Sequence, residues 1–157
     1  MDDVALGSRG LDTLPAAGRL LGVDVGDVRV GLAVTDPGQV VATPLDTVPG
    51  STDPEEVADV VLAAIHDEQP VAVVVGYPRT MAGREGSAAQ QCRVVAEEIA
   101  SRSGLPVLLW DERLSTVEAE RALLEGDVRR RRRRDVVDRV AASLILRGVL
   151  DARRLRR

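Results

Sequence analysis

Aromatic side chains are almost missing from this chain: one Trp, one Tyr and no Phe among 157 residues. The core must therefore be built from Val, Leu, Ile and Ala. Cysteine occurs once, which excludes an intramolecular disulfide and argues against a Cys-based zinc site. No apolar run reaches the length of a membrane span, and no signal-peptide pattern opens the sequence. A soluble, cytoplasmic protein with no membrane contact is expected. Lysine is absent, so all 21 basic residues are Arg; we read this as genome composition rather than chemistry.

What is present suffices for one domain with an ordinary core, since 45% of the residues are hydrophobic. The net charge of −4 argues, taken alone, against a nucleic-acid binder. Its distribution argues the other way. Six Arg stand together at Arg129–Arg134, and four of the last five residues are Arg. The carboxy-terminal third is thus basic within an acidic chain, and attraction to phosphate would be local. A solvated linker is the commoner fate of such a run.

Residues 1–18 are polar, Gly-containing and aperiodic, and are expected to form a disordered leader. The folded domain then spans 19–152, with 153–157 as a basic tail. Apolar runs at 20–25 and 28–35, joined near Gly26-Asp27, predict a hairpin. A third strand over 40–48 contains Pro44 and should lie at an edge. Asp53 with Pro54 and Glu56 marks a helix start, followed by the stripe Val57, Val60, Val61, Ala64 and Ile65. Val71–Gly76 is wholly apolar, as for a strand covered on both faces. A second helical stripe runs Ala88, Cys92, Val95, Ala96, Ile99 and stops at Gly104. Val107–Trp110 is the fifth strand. Ser115-Thr116-Val117-Glu118 reads as a capping box, and the last helix shows Val137, Val140, Ala141, Leu144 and Gly148. The order predicts an α/β fold, a mixed sheet flanked by helices.

Three carboxylates border apolar segments, where a lone charge is costly unless a partner or metal ion stabilises it. Alternation puts Leu20, Gly22 and Asp24 on one face of the first strand. The next strand places the small residues Gly31, Ala33 and Thr35 at alternate positions, which leaves room for a ligand beside Asp24. An isolated Asp there could equally cap the turn. Asp111 and Glu112 point to opposite faces, and the sequence does not choose between them. Helical geometry puts Asp138 at the border of the last apolar stripe, with Asp135 about 60° further toward water. Pairing of Asp138 with Arg134 is the simpler alternative. The loop Gly76–Ser87 carries Arg79 and Arg84 ahead of a helix start, an arrangement suited to phosphate. His66 and Cys92 are most simply structural.

Four segments in order resemble the YqgF/RuvX family of Holliday-junction-resolvase-like nucleases. They are Gly22-Val23-Asp24-Val25-Gly26 with Arg29–Ala33; Val74–Pro78 followed by Met81, Gly83, Glu85-Gly86 and Gln90; Asp111–Ala119; and Val137–Ala142 with Ile145-Leu146. The family's Thr-Thr is Ser115-Thr116 here, and a six-Arg run precedes the last helix. The resemblance implies an RNase H-like fold with a five-stranded mixed sheet and helices on both faces. It also implies a metal-dependent nuclease that processes the 5′ end of pre-16S ribosomal RNA or resolves branched DNA. On that footing Asp24, Glu112 and Asp138 are both the catalytic residues and the metal ligands. The metal would be Mg²⁺ or Mn²⁺, expected as two ions about 4 Å apart. Arg29, Arg79, Arg84, Arg113, Arg130, Arg131, Arg132 and Arg133 would contact phosphates. Homodimerisation, which junction resolution would favour, is left open. An actin-like ATPase half and a non-catalytic ribosome-assembly module are the competing readings. The first needs two such domains, and an assay decides the second.

Overall fold

In the computed structural model the described residues are 4–26, 28–78, 86–111 and 130–155, with the side chains of residues 8 and 130–139 left aside. Six strands form one mixed sheet in the order β1-β6-β5-β2-β3-β4. They are β1 (Val4–Leu6), β2 (Leu20–Val25), β3 (Arg29–Thr35), β4 (Ala42–Pro49), β5 (Ala72–Tyr77) and β6 (Val107–Asp111). Helices α1 (Pro54–Glu68) and α2 (Ser87–Ser103) pack on one face, and α3 (Arg130–Leu155) on the other. No helix among the described residues is long and apolar enough to cross a membrane.

The alternation read from the sequence sorts the strand residues between two cores. Leu21, Val23, Val73, Val75, Val107 and Leu109 face α1 and α2. Leu20, Ala33, Ala72, Val74, Leu108 and Trp110 face α3. β2 and β3 pair antiparallel as the expected hairpin, while β2, β5 and β6 run parallel to one another. β4 is an edge strand, and its register with β3 shifts between Leu32 and Ala33, next to Pro44. Such a bulge accommodates the missing N–H of proline. The Asp53 carboxylate accepts from the Glu55 N–H at 3.0 Å and caps α1 behind Pro54. Gly104 closes α2 at φ +73°, a conformation that glycine adopts without a Cβ penalty.

Two stripe readings need adjustment. α2 buries Ala89 rather than Ala88, and α3 turns Ala142, Ile145, Leu146 and Val149 into the core in addition to Ala141 and Leu144. The predicted helix after Ser115 lies outside the described residues.

Residues 4–18 are ordered into the fold, which corrects the expectation of a disordered leader over that stretch. Val4–Leu6 pairs parallel with β6 and supplies a sixth strand beyond the expected five. A 3-10 helix follows over Gly7–Thr13, and Leu11 and Leu14 are buried. Three strand residues are too few to show a period, so composition alone misjudged them.

The end of α3 is tied to the same segment. Gln39, held at φ +56°, donates through Nε2 to the carbonyls of Pro15 at 2.9 Å and Gly18 at 3.0 Å. Its Oε1 accepts from Arg153 at 2.6 Å, and Arg153 also donates to Pro15 O at 3.1 Å. Asp36 supports this turn by accepting from the N–H groups of Val40 and Val41, and these bonds hold its carboxyl below the usual range. Removing one partner of a buried network costs more than the bond was worth, because the others lose their satisfaction. Arg153→Met is therefore expected to lower stability by about 2 kcal/mol, read as a shift of the urea midpoint at unchanged slope.

Candidate functional site

The parallel strands β2, β5 and β6 end at the same side of the sheet. In open α/β sheets this carboxyl end is where ligands bind, because the strands stop and the loops diverge. Asp24 sits there on β2, buried to 8% exposure. By alternation it shares the α3 face with Leu20 and Gly22. Its paired residue on β3 is Gly31. On β5, Gly76 lies one step past the Val23–Val75 pair and is itself paired with Trp110. The carboxylate is thus flanked by two positions without side chains. A hard carboxylate oxygen donor suits a divalent ion such as Mg²⁺.

The other small residues of this face have a different use from the one expected. A Cβ on Gly22 would lie 2.6 Å from Leu146 Cγ and 2.9 Å from the Ala142 carbonyl. The room at Gly22, and at Ala33 paired with it, is filled by α3.

The direction of α3 follows from its anchors. Ala142 and Leu146 lie at Gly22, and Arg153 reaches Gln39 and Pro15 beyond the start of β2. α3 therefore runs antiparallel to β2, and its earlier turns lie toward Asp24. Position 138 is one turn before Ala142. Its side chain is outside the described set.

β6 settles where Asp111 lies. It pairs with Tyr77 and continues the α1/α2 face of Val107 and Leu109, at 6% exposure. It is therefore on the opposite side of the sheet from Asp24. Glu112, Arg79, Arg84 and Arg113 lie outside the described residues. Arg130–Arg133 are described only as backbone in the first turn of α3. Arg29 opens β3 and alternates with Gly31 and Ala33, which puts it on the Asp24 side of the sheet. Among the described residues no three Asp, Glu, His or Cys side chains form a metal-holding group.

Two residues of this region escaped the sequence reading. Arg93 on α2 donates to the Tyr77 hydroxyl at 3.3 Å, and its guanidinium stands 5.6 Å from the centre of that ring. It supports the strand ends from the α2 side. The available signal was an Arg on the border of the stripe Ala89, Cys92, Val95, Ala96. Trp110 is the second. Its indole N–H is buried with no hydrogen-bond partner among the described residues, a cost of about 1–3 kcal/mol. Trp110→Phe removes that donor along with some volume, and the two effects offset each other. We expect it to change stability by less than about 1 kcal/mol in equilibrium unfolding, against the 3–5 kcal/mol usual for truncating a buried Trp to Ala.

The sheet order, the helices on both faces and the carboxylate at the strand end define an RNase H-like fold of the RuvC type. RuvC from Thermus thermophilus, solved in complex with a Holliday junction substrate, superposes with a TM-score of 0.55 at 20% identity, over 87% of this chain and 96% of that one. The yeast mitochondrial Holliday junction resolvase Ydc2 gives 0.51 at 12% identity, over 94% of this chain and 85% of its own. At such identities the likeness concerns the fold alone. Sequence goes further: the chain belongs to the RuvX family, described as Holliday junction resolvase, whose profile matches residues 18–152. A relative from Cereibacter sphaeroides strain KD131, named "Putative pre-16S rRNA nuclease", is 51% identical over 142 residues, covering 90% of this chain and 88% of its own.

Proposed function

We propose that this chain is a divalent-metal-dependent endonuclease acting on structured RNA, with the 5′ end of pre-16S ribosomal RNA as its substrate. The observation that carries the reading is Asp24: a carboxylate buried at the shared end of three parallel strands, between two glycines, with α3 descending toward it. Glu112 and Asp138 complete the proposed ligand set. In support, the RuvX family match spans residues 18–152 and so includes both positions. Clustered carboxylates repel one another and so favour a bound cation.

Bound divalent ions supply Lewis-acid stabilisation of the phosphoryl oxygens and lower the pKa of a coordinated water. The chain's own residues do the rest. Asp24, Glu112 and Asp138 hold the charge balance and orient the pocket. Arg29, Arg79, Arg84, Arg113 and the Arg130–Arg133 stretch bind backbone phosphates on either side of the scissile bond, which gives affinity without base reading.

The family description favours a second substrate, branched DNA. The deciding experiment compares cleavage of a labelled pre-16S RNA 5′ leader and a four-way DNA junction by the same preparation, with Mg²⁺ or Mn²⁺. Preferred cleavage of the RNA leader supports the proposal. Preferred cleavage of the junction replaces it with resolution of branched DNA. Absence of cleavage of both removes the nuclease reading.

A further inference from the structure

On the face of the sheet opposite α3, an open groove runs between β4 and α1. It encloses about 470 Å³ and is lined by Leu32, Leu45, Val48 and Val60, with Asp46, Asp67 and Glu68 at its rim. We propose that this groove docks a short basic, amphipathic segment of a partner protein, with aliphatic side chains in the groove and Lys or Arg against the rim. The proposal is independent of the nuclease reading.

Shape and length come first. The α1 residues of the lining, Val60, Ala63, Ala64, Asp67 and Glu68, follow one helical stripe. They span about 12 Å at 1.5 Å per residue, which matches roughly two helical turns of a ligand. Ala63 and Ala64 leave the space that larger side chains would fill. Charge comes second. Among the described residues the Asp67 carboxylate has no ion-pair partner and Asp46 accepts only the N–H of Thr47 at 2.8 Å, while Glu68 meets Arg19 at 3.6 Å in a partly exposed pair. The acidic end of the groove coincides with the carboxyl terminus of α1, where the helix dipole also favours cations. Glu55 and Glu56 extend the negative field along the exposed side of α1, while Asp59 is paired with Arg102 at 2.6 Å, and the net negative field disfavours nucleic acid on this face.

The mode of docking is restricted as well. β4 is an edge, and an open edge invites an added strand. Pro44 and Pro49 remove two donors from it, and the bulge breaks its register. Recognition by side chains in the groove, rather than by strand addition, is what remains.

The test uses the full chain and two labelled peptides, Lys-Leu-Lys-Lys-Lys-Leu-Lys-Lys and its counterpart with Ser for Leu, followed by fluorescence anisotropy. The leucine peptide should bind at least about tenfold tighter than the serine peptide, a difference of about 1.4 kcal/mol. Asp67→Lys should weaken it about tenfold, as should Ala63→Phe, which occupies the groove without changing charge. Both positions are exposed on α1, and circular dichroism checks that the variants fold. Equal binding of the two peptides would reduce the effect to the general acidic field and overturn the proposal. Wild-type affinity in both variants would do the same. A change in sedimentation of the unliganded chain on Ala63→Phe would instead make a second copy the occupant.

Discussion

Asp24→Asn should lower phosphodiester cleavage by more than about 100-fold, since even residues one shell outside a metal site cost 10–100-fold when replaced. The change is isosteric and removes one negative charge from a residue at 8% exposure, so the variant should fold at least as well as wild type without metal. The second readout follows from linkage. Mg²⁺ should raise the melting temperature of the wild-type chain in a concentration-dependent way, because ligands that bind only the native state stabilise it. That increment should shrink or vanish in Asp24→Asn. Cleavage at the wild-type rate by the variant would remove Asp24 from the chemistry. Lost cleavage with an unchanged Mg²⁺ increment would leave it essential to the reaction and assign the metal to other ligands.

Gly22→Val should destabilise the fold by about 3 kcal/mol, the upper range for overpacking a filled interior. The first added carbon already falls 2.6 Å from Leu146 and 2.9 Å from a backbone carbonyl of α3. The Leu146 side chain can rotate, but the Ala142 carbonyl cannot move without the helix. On the proposed assignment of Asp138 as a metal ligand carried by α3, cleavage should also fall under conditions where the variant remains folded. Chemical denaturation reads the first effect, and initial rates well below the unfolding midpoint read the second. A variant with native stability would mean that α3 is not seated on β2 as described.

Much of this arrangement is written plainly in local patterns. The hairpin, the Asp53–Pro54 helix start, the edge character imposed by Pro44 and the fully buried β5 each follow from a few adjacent residues. What local patterns lack is the identity of the neighbour. The alternation of β6 separates Asp111 from Glu112, yet only the packing of α3 against Leu108 and Trp110 says which face belongs with Asp24. The same gap explains Gly22: a missing side chain marks close approach, but whether a helix or a ligand approaches depends on tertiary structure. Val4–Leu6 fails for a third reason, since a strand that short takes its stability entirely from the partner it covers.

That partner is β6, and the pairing has a bearing on how the chain tolerates shortening. With β1 in place, Val107–Leu109 is paired along both sides. A version starting after Thr13 would leave one of the most apolar stretches of the molecule as a bare border, open to strand exchange between molecules. Solubility, ahead of catalysis, would be the property such a truncation loses.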